Sequence, residues 1–441
     1  MGLHPVIRRA GGLLPLVPVL CAALALSGCM GGAQAGKSAA SPADLASQPE
    51  LSAKGDVRSP LIADLTGRRS ILPAGSAFAL VAEQVLRAGA ASAESELRIK
   101  RLTAQARAKN WLPRIGPDVS LSSLGAIAAQ LLLDQALFDN GRRKAERDFA
   151  AADVEVAAVS FVTDLNQRVY DGLKLYLEAQ RAAELARISE TGLTRMKDFE
   201  RIMRIRMEGG LSDPSELHII TQKRAEMEAT LSSEREGQRS AMAELNTLSA
   251  APLDGVKGLS ALPPDAGAPE ALSVLLARGD AARTLAEVRM ARSGFLPGLG
   301  ASASVDKGGG LDAGLSLDGD VLSFDRKDKL RALAETEEMA VRKVDEARRE
   351  ADRRIVALDR EIAALQAQAA QEGKVLAEME TNLSLFTEQY EAGRRTLIEL
   401  AGQFEALVRL QRSQASVKYQ IALARLEIAL VRGVLVDGAS M

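Results

Sequence analysis

Two stretches of this chain carry the same marks in the same order. Trp111-Leu112-Pro113 precedes a short strand-like segment, Leu137-Phe138-Asp139-Asn140-Gly141 closes it, and a long helical pattern follows. Phe295-Leu296-Pro297, a second strand-like segment, Ser323-Phe324-Asp325 and a second helical pattern repeat the series. Pro113 and Pro297 lie 184 residues apart, Gly210 and Gly393 183, and Glu216 and Glu399 183. Solenoid units run to about 20–50 residues, so a period this long marks a duplicated half-molecule. Each half contains two strands and then a very long helical hairpin, which restricts the fold further.

The strands are clearest in the second half. Leu299, Ala301, Ala303 and Val305 alternate with Gly300, Ser302 and Ser304. After a turn at Asp306–Gly310, Leu311, Ala313, Leu315, Leu317 and Val321 alternate with Asp312, Gly314, Ser316, Asp318 and Asp320. Period-two alternation puts the apolar set on one face and the polar set on the other. In the first half Val119 and Leu121 alternate with serines, but Leu131-Leu132-Leu133 blurs the return strand. Strands of about ten residues have transmembrane length; a small soluble sheet covered by helices is the alternative.

The helices are the strongest signal. From Ile355 the seam runs Leu358, Ile362, Leu365, Ala369, Glu372, Leu376, Met379, Leu383, Phe386, Tyr390, with Glu372 alone breaking it. A 3.5-residue period over about five heptads predicts left-handed supercoiling. Val417, Ile421, Ala424, Ile428, Val431 and Leu435 supply the returning partner, and Val162, Leu165, Val169 and Tyr176 a weaker seam in the first half. Each helix reverses at glycine, at Gly209-Gly210 or at Gly393.

The amino-terminal end reads as an export signal. Arg8 and Arg9 precede an apolar stretch, Leu13–Ala25, too short and too proline-broken to span a membrane. Leu26-Ser27-Gly28-Cys29 resembles the bacterial lipobox, which implies cleavage before Cys29 and lipid on it. Met30 stands where an inner-membrane retention signal places Asp, which favours the outer membrane. After cleavage Cys29 is the lone cysteine and His218 the lone histidine, with 54 Lys plus Arg against 58 Asp plus Glu. No disulfide is possible, and this balance is no footprint for nucleic acid.

The segmentation expected is therefore a lipoprotein signal at 1–28 and a lipid-anchored flexible tether at 29–75. A first repeat at 76–250 holds a helix (Ala77–Asn110), a strand pair (113–138) and a hairpin (141–249). A linker follows at 251–267, and then a second repeat at 268–435, with strands at 298–323 and a hairpin at 325–435. A tail at 436–441 ends the chain.

With Leu-Pro before each strand pair, Leu137-Phe138-Asp139-Asn140-Gly141-Arg142-Arg143 opening the first long helix, and Tyr390-Glu391-Ala392-Gly393-Arg394-Arg395-Thr396-Leu397-Ile398-Glu399-Leu400 at the second turn, the chain resembles the TolC-like outer-membrane efflux and secretion channel family over about residues 77–435. The resemblance implies a mainly α chain with a small β part. Four strands from each of three copies close a transmembrane β-barrel, and coiled-coil hairpins form a helical barrel across the periplasm. It further implies a homotrimer working with a periplasmic adaptor (membrane fusion protein) and an inner-membrane transporter, in efflux or type I secretion. Asp312, Asp318 and Asp320 then face the lumen. Polar links between neighbouring hairpin tips fall at Ser215, Glu216, Tyr390, Arg394 and Arg395, with a Glu216–Arg395 link as the sharp form. Glu399, in three copies, forms an acidic ring. The sequence departs from the family pattern at Phe324-Asp325, which lacks the following glycine, and at Pro214.

Enzyme chemistry lacks its parts. One histidine and one lipidated cysteine leave no metal cluster or Cys/His pair, no glycine loop cradles phosphate before a helix, and no cofactor is implied. A periplasmic coiled-coil adaptor or a structural spacer lipoprotein without a pore is the alternative, although an adaptor has one hairpin where this chain has two.

Overall fold

The computed structural model describes residues 46–89, 91–121, 127–263, 269–306, 310–318 and 324–440. Strands β1 (Glu50–Leu51) and β2 (Val57–Arg58) pair antiparallel and lead into helix α1 (Pro60–Gly67). Helices α2 (Ala77–Ala88) and α3 (Ala91–Ala108) follow, so the single helix expected to Asn110 is two, interrupted after Gly89. Strands β3 (Arg114–Leu121) and β4 (Ile127–Phe138) precede a hairpin of α4 (Arg142–Glu208) and α5 (Pro214–Leu248). The order then recurs as α6 (Leu272–Ser293), β5 (Gly298–Asp306), β6 (Leu311–Asp318), α7 (Arg326–Glu391) and α8 (Leu397–Arg432).

No proline interrupts residues 142–208 or 326–391, and the 67 residues of α4 extend for roughly 100 Å at 1.5 Å per residue. Helix α4 is the spine of the fold, packing on α2, α3, α5, α6 and α8. Its buried positions include Val162, Leu165, Val169 and Tyr176, a denser seam than their spacing suggested. Phe78 meets Tyr176 edge to face with centroids 6.1 Å apart, and the Tyr176 hydroxyl donates to the Gly258 carbonyl at 2.7 Å. Helix α7 differs: it buries only Ala340, Val344, Ala351 and Leu358. Beyond Leu358 its heptad positions are half-buried against α8, while Val356 and Leu385 stay exposed. Glu372 sits in that seam and accepts hydrogen bonds from Ser413 on α8 (3.0 Å) and from Gln368 (2.9 Å).

Three segments read as tether, linker and tail pack onto the core. From Ala46 onward the amino-terminal segment is no free tether: Leu61, Leu65 and Leu72 are buried in the main cluster. Its end runs beside the carboxyl-terminal segment, with Ile71 N donating to Val434 O at 2.9 Å, Ser70 Oγ to Leu435 O at 2.8 Å, and Gly438 N to Arg68 O at 2.9 Å. Gly438 lies so close that a Cβ there would stand 2.0 Å from the Leu65 carbonyl oxygen. The linker buries Leu253 and Leu262. These leucines are isolated and irregularly spaced, so they fill gaps between helices without leaving a period in the sequence.

Glu155 on α4 is fully buried and latches this segment, accepting hydrogen bonds from the Ser47 and Ser59 hydroxyls. Ser59 also caps α1, accepting from Leu61 N and Ile62 N. Burial raises the Glu155 carboxyl above its ordinary value, and the two hydroxyls and Arg278 pull it partly back. An acid whose folded pKa is raised costs stability at pH above its unfolded pKa, in full once pH exceeds the folded pKa, and that cost fades as pH falls from the folded pKa toward the unfolded one. Glu155→Gln is therefore expected to gain more in Tm relative to the parent at pH 8 than at pH 5. A Tm difference independent of pH would remove the charge as the cause.

Candidate functional site

Two features stand out as sites: a bare four-stranded sheet at one end of the helices and a pair of hairpin tips. The sheet order is β3-β4-β5-β6, all antiparallel, with the β4–β5 pairing joining the two halves. Its registers put Pro117, Leu131, Val305 and Leu311 in one row and Ile115, Leu133, Ala303 and Ala313 in the next. On the opposite face Arg114, Asp134 and Ser302 share a row, and Asp118 accepts from Gln130 Nε2 at 2.9 Å. The blurred Leu131-Leu132-Leu133 run resolves by parity: Leu131 and Leu133 take the apolar face and Leu132 falls in the polar row with Ser304 and Asp312. A bulge between Ala136 and Phe138 shifts the register so that Phe138 pairs with Leu299 and joins the apolar face. That bulge had no sequence signal.

The apolar face is uncovered. Ile115 is 67% exposed, Leu315 72% and Leu317 78%. Among the described residues strands β3 and β6 are open edges, a row of unpaired backbone groups each. Asp312 lies in the polar register as expected; Asp320 and Val321 lie outside the described residues.

The two tips are built alike. Gly210 (φ 75°) and Gly393 (φ 72°) take the left-handed conformation that a helix-ending turn requires, and the next residue closes each turn: Leu211 N donates to Arg206 O and Arg394 N to Gln389 O, both at 2.8 Å. Gly209, at φ −81°, has ordinary helical geometry. Asp213 then caps α5, accepting from Ser215 N at 2.8 Å with Pro214 at the first helical position, and hydrogen bonds from Ser215 lower the Asp213 carboxyl below its usual value. Thr396 and Glu399 form a capping box on α8.

The tips pack side by side. Met203, Ile220, Leu397 and Leu400 are buried in one cluster with Tyr390 half-buried against it, and Phe199 meets Phe404 edge to face at 5.7 Å. Ion pairs Lys223–Glu405 and Arg412–Glu234 (2.5 Å) tie α5 to α8. These cross-hairpin pairs join positions about 180 residues apart, and nothing local in the sequence marks them.

Glu216 and Arg395 are not brought together within the chain. Arg395 bonds Glu399 at 3.0 Å and Gln389 at 3.1 Å, and its guanidinium lies 4.8 Å from the Phe386 ring centroid. Glu216, in the first turn of α5, has no ion-pair partner among the described residues. Ser215, His218 and Arg394 are exposed. The Glu399 carboxyl is held below its usual value by the Thr396 backbone N–H, then by Arg395 and the Thr396 hydroxyl. It is thus an ionised helix cap with a cation beside it. Among the described residues no group of His, Cys, Asp and Glu could hold a metal ion, and no helix is long and apolar enough to cross a membrane. Cys29 lies outside the described residues.

No protein-family model and no curated protein matches the chain. Solved structures do. The chain is similar to the outer membrane protein VceC from Vibrio cholerae at 17% identity and a TM-score of 0.71, covering 81% of this chain and 96% of that one. A membrane protein from Pseudomonas aeruginosa matches at 14% identity and a TM-score of 0.73, covering 85% and 93%. The open state of the Neisseria gonorrhoeae MtrE outer membrane channel matches at 14% and 0.68, covering 84% and 95%.

Proposed function

We propose that this chain, which has the TolC-like outer-membrane channel fold, is one protomer of a trimeric channel-tunnel. In this reading it carries cargo outward from an inner-membrane transporter through a periplasmic adaptor. The observation that carries the reading is the sheet: four strands with one apolar face bare and both edges open. Open edges are not tolerated in lipid and four strands cannot close. Pairing β3 of one copy with β6 of the next, in an internally duplicated protomer, gives twelve strands around one pore. The exposed side of α7 then packs on the neighbouring copy and completes the helical barrel. Purified protein in a planar bilayer is expected to give discrete conductance steps from a heat-resistant trimer. A well-folded monomer giving none overturns the reading in favour of a spacer or adaptor.

Cys29 anchors the chain to outer-membrane lipid, a role supported by Leu26-Ser27-Gly28-Cys29. Cys29→Ser is expected to abolish palmitate labelling and cleavage before residue 29; persistent labelling removes the lipobox.

The tips close the periplasmic end. Arg395 stiffens its own turn through Gln389, Glu399 and Phe386, and a link to Glu216 of the neighbouring copy holds the closed state. Arg395→Ser is expected to raise single-channel conductance several-fold at unchanged trimer yield, because a gate near balance needs only a few kcal/mol to shift. Since Glu399 also caps α8, Glu399→Gln is the cleaner test of the acidic ring: Gln preserves a capping box and removes three charges. Lower cation preference is expected, and an unchanged reversal potential leaves Glu399 as a cap alone.

A further inference from the structure

The sheet meets its helices at one end: residues 107–114 lead into β3, 139–148 leave β4, 289–297 lead into β5, and 324–331 open α7, with 319–323 outside the described residues. Asn140 Nδ2 donates to Pro297 O, Asn110 Nδ2 to Arg143 O, and Gln135 Nε2 to Trp111 O, each at 3.0 Å, which ties the first three connections together, and Arg292 bonds Glu337 of α7 at 2.9 Å; the four segments are called the collar below. Two properties set the collar apart. It exposes large apolar side chains, Trp111 at 57% and Phe324 fully, next to Phe138 at 61% on the end of β4. It is also strongly basic: the four segments hold thirteen Lys and Arg against five Asp and Glu, in a chain whose formal charge is −2. Several of those cations pair with acids, but Lys109, Arg114, Lys144, Arg147, Arg326 and Lys327 have no ion-pair partner among the described residues.

We propose that this collar binds anionic glycerophospholipid headgroups of the periplasmic leaflet. The proposal rests on the barrel reading above, which sets the apolar sheet face in the acyl chains and the collar at their boundary. Continuity with that face and charge complementarity select the occupant. Aromatic rings sit at such boundaries with one side wet, and each Lys or Arg near an anionic surface adds an attraction that reaches only about one Debye length, roughly 8–10 Å. Cations left without protein partners at that level are free to meet phosphate.

Trp111 is the chain's single tryptophan and reports on its own neighbours. The full-length protein is reconstituted in phosphatidylcholine vesicles doped with either brominated phosphatidylglycerol or brominated phosphatidylcholine, and Trp111 quenching gives the relative binding of the two lipids. Expected is about a threefold preference for the anionic lipid at low salt, falling toward one at high salt. The same collapse is expected in the triple variant Lys109→Gln, Lys144→Gln, Lys327→Gln, which still forms conducting trimers. Equal quenching by both lipids overturns the proposal while leaving the barrel intact, as does a triple variant that keeps the preference. Quenching by neither lipid overturns the barrel reading and the collar with it.

Discussion

On the trimeric barrel proposed above, Leu315→Arg is expected to eliminate the heat-resistant trimer from outer-membrane fractions, whereas Ser302→Arg leaves it intact. The two positions lie on neighbouring strands and on opposite faces: Leu315 pairs with Ala301 in the apolar rows, and Ser302 with Gly314 and Asp134 in the polar ones. Arginine at the midplane of a lipid-facing strand costs about 2–4 kcal/mol. Three copies multiply that to roughly 6–12 kcal/mol per trimer, comparable with a domain's whole stability of about 5–15 kcal/mol. At Ser302 the guanidinium would meet Asp134 across the strand pair and water in the proposed lumen, so insertion is expected to proceed and the reversal potential to shift toward anions. Equal tolerance of both substitutions, or equal loss, would mean that the apolar face does not meet lipid.

The second large effect is expected at Arg68. Its side chain is 2% exposed and bridges three acceptors: Asp64 Oδ2 at 2.7 Å, Glu270 O at 2.9 Å, and the carbonyl of Arg432 at the end of α8. One guanidinium thus ties the amino-terminal segment to the start of the second half and to the last turn of α8, where a cation also meets the negative end of the helix dipole. Arg68→Ala removes the partner of two part-buried carbonyls, at about 1–3 kcal/mol each, so a loss of about 3 kcal/mol is expected, read as a fall in melting temperature. Protease cleavage within residues 46–75 should appear in the same variant. Arg68→Lys recovers little, because a single ammonium lacks the planar fork that reaches acceptors on three segments. A variant with unchanged melting and an uncut segment would reduce Arg68 to a passive filler.

What the sequence settled by itself has a short range. Strand parity is a period of two, and by itself it places Leu315 and Ser302 on opposite faces. The α7 seam is a period of 3.5, and the positions read from it are the ones that turn toward α8, down to Ser413 meeting Glu372. Gly210 and Gly393 were legible because a left-handed turn is close to a glycine requirement. Tertiary structure decided the rest. The bulge that re-aims Phe138, the Ser47 and Ser59 hydroxyls on Glu155, the fork of Arg68, and the Lys223–Glu405 pair all join groups whose proximity no local period encodes. Residues 46–75 were misread as a tether for the same reason. An eight-residue helix and three scattered leucines carry too little repetition to announce burial, and they are buried in one cluster with residues of α4, α6 and α8 such as Leu165, Leu275 and Leu426. Arg395 makes the point at the tip: its spacing from Gly393 marked it as polar and near the turn, but only packing turned it toward Glu399 and Phe386 of its own hairpin.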